Sequence, residues 1–174
     1  MTPFIPSRLA TAVLSMEHIG NACLQLRGMN LGQREKLADE IHASQPNLCY
    51  SVLVLNRYGA SFVQLEVVLN LLFVFHLATK AAGKVWPMVT EDIQERCLTR
   101  LTARMRFIEG LNLEQQETTV KSALVDHPEP WMLSFAYGEL NAYGLLGITT
   151  EAEKHLVLAG INLVECVAEV TVGS

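Results

Sequence analysis

Apolar residues recur every three to four positions through most of this chain, which is the spacing of one face of an α-helix. The clearest amphipathic segments are 7–27 and 90–109, and more apolar helices are predicted at 62–80 and 150–170. No segment alternates apolar and polar residues over the length of a strand; we assign the short apolar run 51–55 to helix. The pattern predicts an all-α protein of about eight helices, arranged as a helical bundle or a short α-repeat.

Two parts of the chain, beginning at Gly28 and Gly110, carry the same local features in the same order. Each glycine follows a predicted helix and suits a left-handed position that ends it, because a side chain there would be penalised. Asn30 and Asn112 suit the N-caps of the next helices, with a glutamine three residues later to complete a capping box. The further matches pair Pro46 with Pro128 at the start of a third helix, and Tyr58-Gly59 with Tyr143-Gly144 at its end. This order predicts an internal duplication, with tandem four-helix units at 1–84 and 85–174 packed as one compact domain.

The chain has 174 residues, a net charge of −5 and 18% charged residues, so it lacks the basic footprint that binds nucleic acid. The main cluster of basic side chains lies on the helix predicted at 90–109, where arginines are interleaved with carboxylates. That pattern favours a solvated, ion-paired helix face, with a nucleic-acid groove as the minor alternative. The arginines are Arg96, Arg100, Arg104 and Arg106.

Neither the cysteines nor the N-terminal residues indicate an extracellular protein. The cysteines lie far apart, without metal-ligand spacing, and are typical of buried thiols in a reducing compartment. The first residues lack the basic and apolar regions of a secretory signal. The apolar stretch 67–78 is shorter than the roughly 20 residues that cross a bilayer, and it contains Asn70 and His76. We therefore expect a cytoplasmic protein with no membrane span and a buried core helix at 67–78.

The sequence contains none of the local motifs that mark common catalytic sites. It has no Gly-x-Ser-x-Gly elbow, no phosphate-binding loop and no Gly-x-Gly-x-x-Gly dinucleotide fingerprint. Asp39 with His42, and Glu151 with His155, have helical spacing, but neither is the Glu-x-x-His pair of di-iron bundles. We therefore predict no catalytic residue, no metal site and no cofactor.

Repeated apolar helices without catalytic motifs favour a non-catalytic protein–protein interaction or regulatory module. The partner would be another protein or a second copy of the chain. Candidate interface residues are Trp86, Trp131 and Met132, because both tryptophans adjoin prolines at predicted helix starts and tryptophan is enriched at binding hot spots. The competing interpretation is that these tryptophans pack the two units together.

The alternative function is a small-molecule-binding protein or an enzyme with a polar pocket in the helical core. Glu66 and Asn70 lie one turn apart on the most apolar predicted helix, which also contains His76. These three side chains would line such a pocket, together with Tyr58 and Tyr143. The competing interpretation of His76 is a hydrogen-bonded core histidine without a ligand.

Overall fold

The structure is a computed structural model that describes residues 14–172, and this range is all-helical, without a strand. The all-α prediction is therefore confirmed, while predicted helix residues 7–13 lie outside the described range. The eight α-helices of this range are α1 (Met16–Gly28), α2 (Leu31–Ser44), α3 (Pro46–Leu53), α4 (Phe62–Ala81), α5 (Glu91–Glu109), α6 (Leu113–Asp126), α7 (Pro130–Ala142) and α8 (Glu151–Val172). Short 3₁₀ helices follow α3 (Val54–Tyr58) and α7 (Leu145–Gly147).

The predicted capping boxes of α2 and α6 are confirmed. The side chain of Asn30 accepts the backbone N–H of Gln33 at 2.9 Å, and the Gln33 side chain accepts the Asn30 N–H at 2.9 Å. Asn112 and Gln115 form the same reciprocal pair, at 2.9 and 3.2 Å. Because backbone donors at the start of a helix have no partner within the helix, these side chains fix where α2 and α6 begin.

The predicted left-handed conformation of Gly28 and Gly110 is wrong. Helix α1 ends at Gly28, and the residue that follows it, Met29, is extended. Gly110, after α5, keeps helical angles, with φ −78° and ψ −7°. The left-handed glycines that follow the third helix of each half are Gly59 and Gly144, with φ of 96° and 71°. At Gly28 and Gly110 the chain turns without the conformation that requires a glycine.

The third helix of each half begins with a proline, as predicted for Pro46, but in the second half this residue is Pro130 rather than Pro128. The preceding residues, Gln45 and Glu129, have similar backbone angles: φ −136° and ψ 56° for the first, φ −121° and ψ 69° for the second. Both side chains are buried, with exposed fractions of 0% and 2%. Gln45-Pro46 therefore corresponds locally to Glu129-Pro130.

Gln45 and Glu129 each hold the segment that leads into the first helix of the other half. The Oε1 atom of Gln45 accepts the backbone N–H of Val89 at 2.9 Å, and its Nε2 donates to the carbonyls of residues 86 and 87. Oε2 of Glu129 accepts the backbone N–H of Leu14 at 3.2 Å. Val89 and Leu14 each stand directly before an N-cap, so two buried side chains join the halves in the same way.

Helices α4 and α8 form the centre of the molecule. Helix α4 contacts α1, α2, α3, α7 and α8, whereas α8 also packs on α5. The hydrophobic core contains residues of both halves. Gly160 lets α8 approach α4 and α7 closely, since a Cβ atom there would lie 3.3 Å from Leu71 Cδ1 and 3.4 Å from Leu140 Cδ1.

Helix α4 is the one helix of the described residues that is long and apolar enough to cross a membrane, and 56% of its most apolar window is buried in the bundle. Length and apolar composition are shared by membrane spans and by core helices. In this structure its buried side chains include Leu71, Leu72 and Phe75.

Candidate functional site

A cavity of about 520 Å³ lies between the two halves of the chain. Its floor is α8, one wall is α3 with the 3₁₀ helix that follows it, and the other wall is the first half of α5. The volume and the mostly apolar lining of this cavity are typical of small-molecule sites, whose volumes are about 300–1,000 Å³. The lining residues include Ser51, Leu55 and Tyr58 on the first wall, Glu91, Glu95 and Leu98 on the second, and His155, Leu158 and Asn162 on the floor. We refer to this space as the α8 cavity.

Asn162 is the buried polar residue of the α8 cavity, with 8% of its surface exposed. Its Nδ2 donates to the backbone carbonyl of Gln94 at 3.3 Å, while its Oδ1 accepts no hydrogen bond from any residue between 14 and 172. A buried acceptor without a donor costs about 1–3 kcal/mol. This oxygen has no surface that is accessible from the α8 cavity, so Asn162 contributes other atoms to the lining.

The mouth of the α8 cavity has aromatic rings on one side and carboxylates on the other. The rings of Tyr58 and His155 lie 5.2 Å apart between centroids, with their planes at 36°. Glu91 and Glu95 stand one turn apart on α5, and neither forms an ion pair with a residue of the described range. No lysine or arginine in that range lines the cavity. The electrostatic field at this wall therefore favours a positively charged group.

The arginines of α5 form the predicted ion-paired surface, but their partners lie on α8. Arg96 and Arg100 both bond the Glu169 carboxylate, and Arg104 bonds Glu165. Arg96 and then Arg100 hold the pKa of the Glu169 carboxyl at about 2, far below its ordinary value. The charges of Arg96, Arg100 and Arg104 are therefore balanced by carboxylates of α8, as in the ion-paired helix face that the sequence favours.

Beside these ion pairs is a more open cavity of about 620 Å³, which His127 lines with Arg104 and Glu165. His127 is 5% exposed, and its Nδ1 accepts the backbone N–H of Glu129 at 3.0 Å. The proton of the neutral ring is therefore on Nε2, which lies 3.6 Å from Glu165 Oε1. Burial opposes ionisation of Glu165, but His127 and Arg104 keep the pKa of this carboxyl below its ordinary value. The arginines and carboxylates of this cavity pair with one another, whereas His127 Nε2 is buried without a hydrogen-bond partner among residues 14–172.

The buried cysteines offer no activated nucleophile. Burial raises the pKa of the Cys97 and Cys166 thiols, and Glu169 acts in the same direction on both. Nucleophilic cysteines need a thiolate, which a raised pKa disfavours. Between residues 14 and 172, no group of three or more His, Cys, Asp or Glu side chains is arranged to hold a metal ion.

The residues of the predicted polar pocket are separated in the structure. Glu66 is exposed and Asn70 is half-buried on α4. His76 Nε2 lies 3.0 Å from Glu40 Oε1, so a carboxylate on α2 is its partner. Tyr58 lines the α8 cavity, whereas Glu66, Asn70 and His76 do not, and Tyr143 is exposed after α7.

The three predicted interface residues differ in exposure. Met132 is fully buried and Trp86 is 8% exposed, so neither presents its side chain at the surface of the chain. Trp131 is half-buried and lines a groove of about 270 Å³ between α1 and α7, together with Gly20 and Phe135. We refer to this space as the α1–α7 groove.

Asn162 was not singled out from the sequence, although one signal for it exists. It is the sole polar side chain in the apolar stretch 156–164 of α8, and a lone amide in a buried helix needs partners. Ser51 has no comparable signal. No protein-family model matches this sequence, and no curated protein or solved structure shows significant similarity to it.

Proposed function

We propose that this chain is a non-catalytic binding protein that holds a small, mainly apolar molecule in the α8 cavity. The observation that carries the proposal is the α8 cavity itself, a space of about 520 Å³ with a mostly apolar lining between α3, α5 and α8. This volume and this lining are typical of small-molecule sites. A bound molecule with an apolar body would cover the apolar surface of the cavity.

The side chains around the α8 cavity favour binding over catalysis. The Ser51 hydroxyl donates to the Leu48 carbonyl at 2.7 Å and has no adjacent base, so it is not arranged as a nucleophile. Tyr58 and His155 meet through their ring faces rather than through a hydrogen bond between described atoms. These contacts suit an aromatic platform for an apolar ligand.

We also propose that the chain arose by internal duplication, with units at 1–84 and 85–174. The order of helices supports this proposal, since α2 and α6 begin with the same Asn–Gln capping box and a short 3₁₀ helix comes after both α3 and α7. The buried residues Gln45 and Glu129 support it further, because each bonds the backbone just before the other unit's first helix. Under this proposal the α8 cavity, between α3 and α5, is the counterpart of the α1–α7 groove.

The duplication supplies a test of the binding function. Ser51 is the fifth residue after Pro46, and Phe135 is the fifth after Pro130, so Phe135 fills the position that Ser51 leaves open. Ser51→Phe should therefore occupy part of the α8 cavity. The matched control is Ser122→Phe, at an exposed serine of α6 outside the cavity.

The probe is phenylbutanol, a neutral molecule with an apolar body and one hydroxyl donor, titrated into isotope-labelled protein and followed by NMR. At about 0.4 kcal/mol per heavy atom, its 11 heavy atoms correspond to a Kd on the order of 1 mM. We expect shifts at residues of the α8 cavity in wild type and in Ser122→Phe, and a lower affinity in Ser51→Phe. An unchanged affinity in a folded Ser51→Phe variant would contradict the proposed site.

A second candidate function is the protein–protein interaction module, with another protein or a second copy as the partner. The observation that favours it is the exposure of large apolar side chains at corresponding positions: Leu31 and Leu113, the first residues of α2 and α6, are 73% and 80% exposed. Sedimentation of wild type and of the Leu31→Glu, Leu113→Glu double variant tests self-association. A dimer that the double variant abolishes would support this candidate, and a monomer at all concentrations would exclude the second copy.

A further inference from the structure

Helix α6 is the only α-helix between residues 14 and 172 that has no buried residue. Its Leu124 packs against the core but is only half-buried, and Leu113 at its start is 80% exposed. The helix in the same place of the first half, α2, buries Leu37 and Ile41, which are 5% and 0% exposed. Helix α6 therefore has less apolar contact with the bundle than α2 has.

The difference has a direct cause in the sequence. Counted from the N-caps of α2 and α6, Leu37 corresponds to Thr119 and Ile41 corresponds to Ala123. Both positions of α6 thus carry a small side chain where α2 carries a large aliphatic one. Burial of one aliphatic side chain favours the packed state by a factor of about ten or more.

An enclosed cavity of about 40 Å³ lies beneath α6, where α6 faces α5, α7 and α8. Ala123 and Leu124 of α6 line it together with Leu101, Tyr137 and Ile161. Side chains that face an unfilled space lose dispersion contacts on that side, so the space weakens the attachment of α6. We refer to this space as the α6 gap.

Polar side chains also tie α2 to its neighbours. Arg34 donates to the carbonyl of Leu26, in α1, at 3.1 Å. The Glu40 carboxylate lies 3.0 Å from His76 Nε2 and 2.8 Å from Lys80 Nζ, both on α4. These contacts connect α2 to two other helices.

Residues 113–125 of α6 form no such ties with the described residues. The Gln116 amide donates to the carbonyl of Leu111 at 2.9 Å, and the Thr118 hydroxyl donates to the carbonyl of Glu114 at 2.9 Å. The side-chain hydrogen bonds of this range to described atoms stay within α6 and the turn before it. The ion pairs between described residues do not include this range either.

The C-terminal end of α6 is fixed more firmly than the rest of the helix. Its C-cap, His127, is 5% exposed and accepts the backbone N–H of Glu129. Glu129 is itself buried and bonds the backbone of Leu14. A movement of α6 would therefore turn about this joint, with the exposed N-terminal end of the helix travelling furthest.

We propose that α6 is a lid, which swings away from α5, α7 and α8 about the joint at residues 127–129 while the other helices stay folded. Its opening extends a cavity that is already present, because Arg104, His127 and Glu165 line both the α6 gap and the open cavity beside the α5–α8 ion pairs. The lid is independent of ligand binding in the α8 cavity, since no residue of α6 lines that cavity.

Hydrogen exchange of backbone amides, measured by NMR on the full chain, compares the two helices. We expect the inner amides of α6 to be protected at least about 100-fold less than those of α2, because α6 lacks two aliphatic anchors worth about tenfold each. Exchange in α6 should also depend less on added urea, because a local opening exposes less surface than global unfolding. Equal protection and equal urea dependence of α2 and α6 would overturn the proposal.

A substitution at the α6 gap tests the cause of the movement. Ala123→Ile places the residue of α2 in the gap and should slow exchange in α6 by about tenfold. The control is Ser122→Ile, which adds the same side chain at an exposed position of α6 and should not slow it. If Ala123→Ile overpacks the gap and unfolds the protein, the smaller Ala123→Val serves in its place and should slow exchange by about threefold or more. Unchanged α6 exchange in a folded Ala123 variant, or equal slowing by Ser122→Ile, would overturn the lid.

Discussion

Replacing Asn162 by leucine is expected to make the protein more stable, because it removes a buried acceptor that has no donor among residues 14–172. The unpaired Oδ1 costs about 1–3 kcal/mol, and the hydrogen bond from Nδ2 returns about 0.5–1.5 kcal/mol. Its acceptor, the Gln94 carbonyl, lies within α5 and keeps its place in the helical hydrogen-bond ladder. The net expectation is a gain of about 1 kcal/mol for Asn162→Leu.

Urea unfolding followed by circular dichroism measures this difference, and the melting temperature should rise by about 2–4 °C for a chain of this size. The control is Asn141→Leu, at an exposed asparagine of α7, which should change stability by less than about 0.5 kcal/mol. A loss of more than about 1 kcal/mol in stability would refute the reasoning, because it would mean that the Asn162 amide is satisfied in the folded protein.

Three further predictions concern the joints between helices. Gln45→Leu should cost about 2–4 kcal/mol in urea unfolding, because the donor and acceptors of residues 86–89 would lose a buried partner; an unchanged midpoint would contradict the role of Gln45. Gly160→Val should destabilise the protein by about 1–3 kcal/mol through overpacking against Leu71 and Leu140. The control is Gly138→Ala, which has open space around it and should be neutral or stabilising. Equal effects of the two substitutions would refute the close approach of α8 to α4 and α7. The pKa of Glu169 is lowered to about 2, so its ion pairs stabilise the folded protein at pH values above the unfolded pKa of about 4.3, and this stabilisation is lost as the pH falls from there towards 2. Solvent screening limits the stabilisation to about 1 kcal/mol. Glu169→Gln should therefore be less stable than wild type by about this amount at about pH 6 and equally stable near pH 2, and a constant difference across this pH range would contradict the reasoning.

Local features of the sequence predicted the helices well because they depend on neighbouring residues. The helical period is set by side chains within one element, and the capping boxes of Asn30 and Asn112 require a partner three residues away. The glycine prediction failed because a helix can end without a left-handed residue: after Gly28 the chain turns to an extended conformation at Met29, and Gly110 keeps helical angles.

The α8 cavity depends on which helices pack together, and the spacing of residues within one helix does not indicate its neighbours in the fold. Ser51 and Asn162 are far apart in the chain and meet only because α3 and α8 are neighbours. His76 was expected to line a pocket, but the packing of α2 on α4 brings Glu40 to its ring. The partners of the α5 arginines could not be predicted from local spacing either, because Glu165 and Glu169 belong to another helix, α8.

The correspondence between Gln45 and Glu129 was also hidden from the sequence. The proline match had paired Pro46 with Pro128, which places the wrong residue opposite Gln45. The two side chains differ in charge but serve the same purpose, because each accepts one backbone N–H from the other half. Similar backbone positions can thus retain a hydrogen bond while the residue type changes.

The most direct measurement is the crystal structure of the protein soaked with phenylbutanol. We predict the alcohol within the α8 cavity, with its phenyl ring near Tyr58 and Leu158. An empty α8 cavity at saturating phenylbutanol would contradict the binding function proposed for this chain.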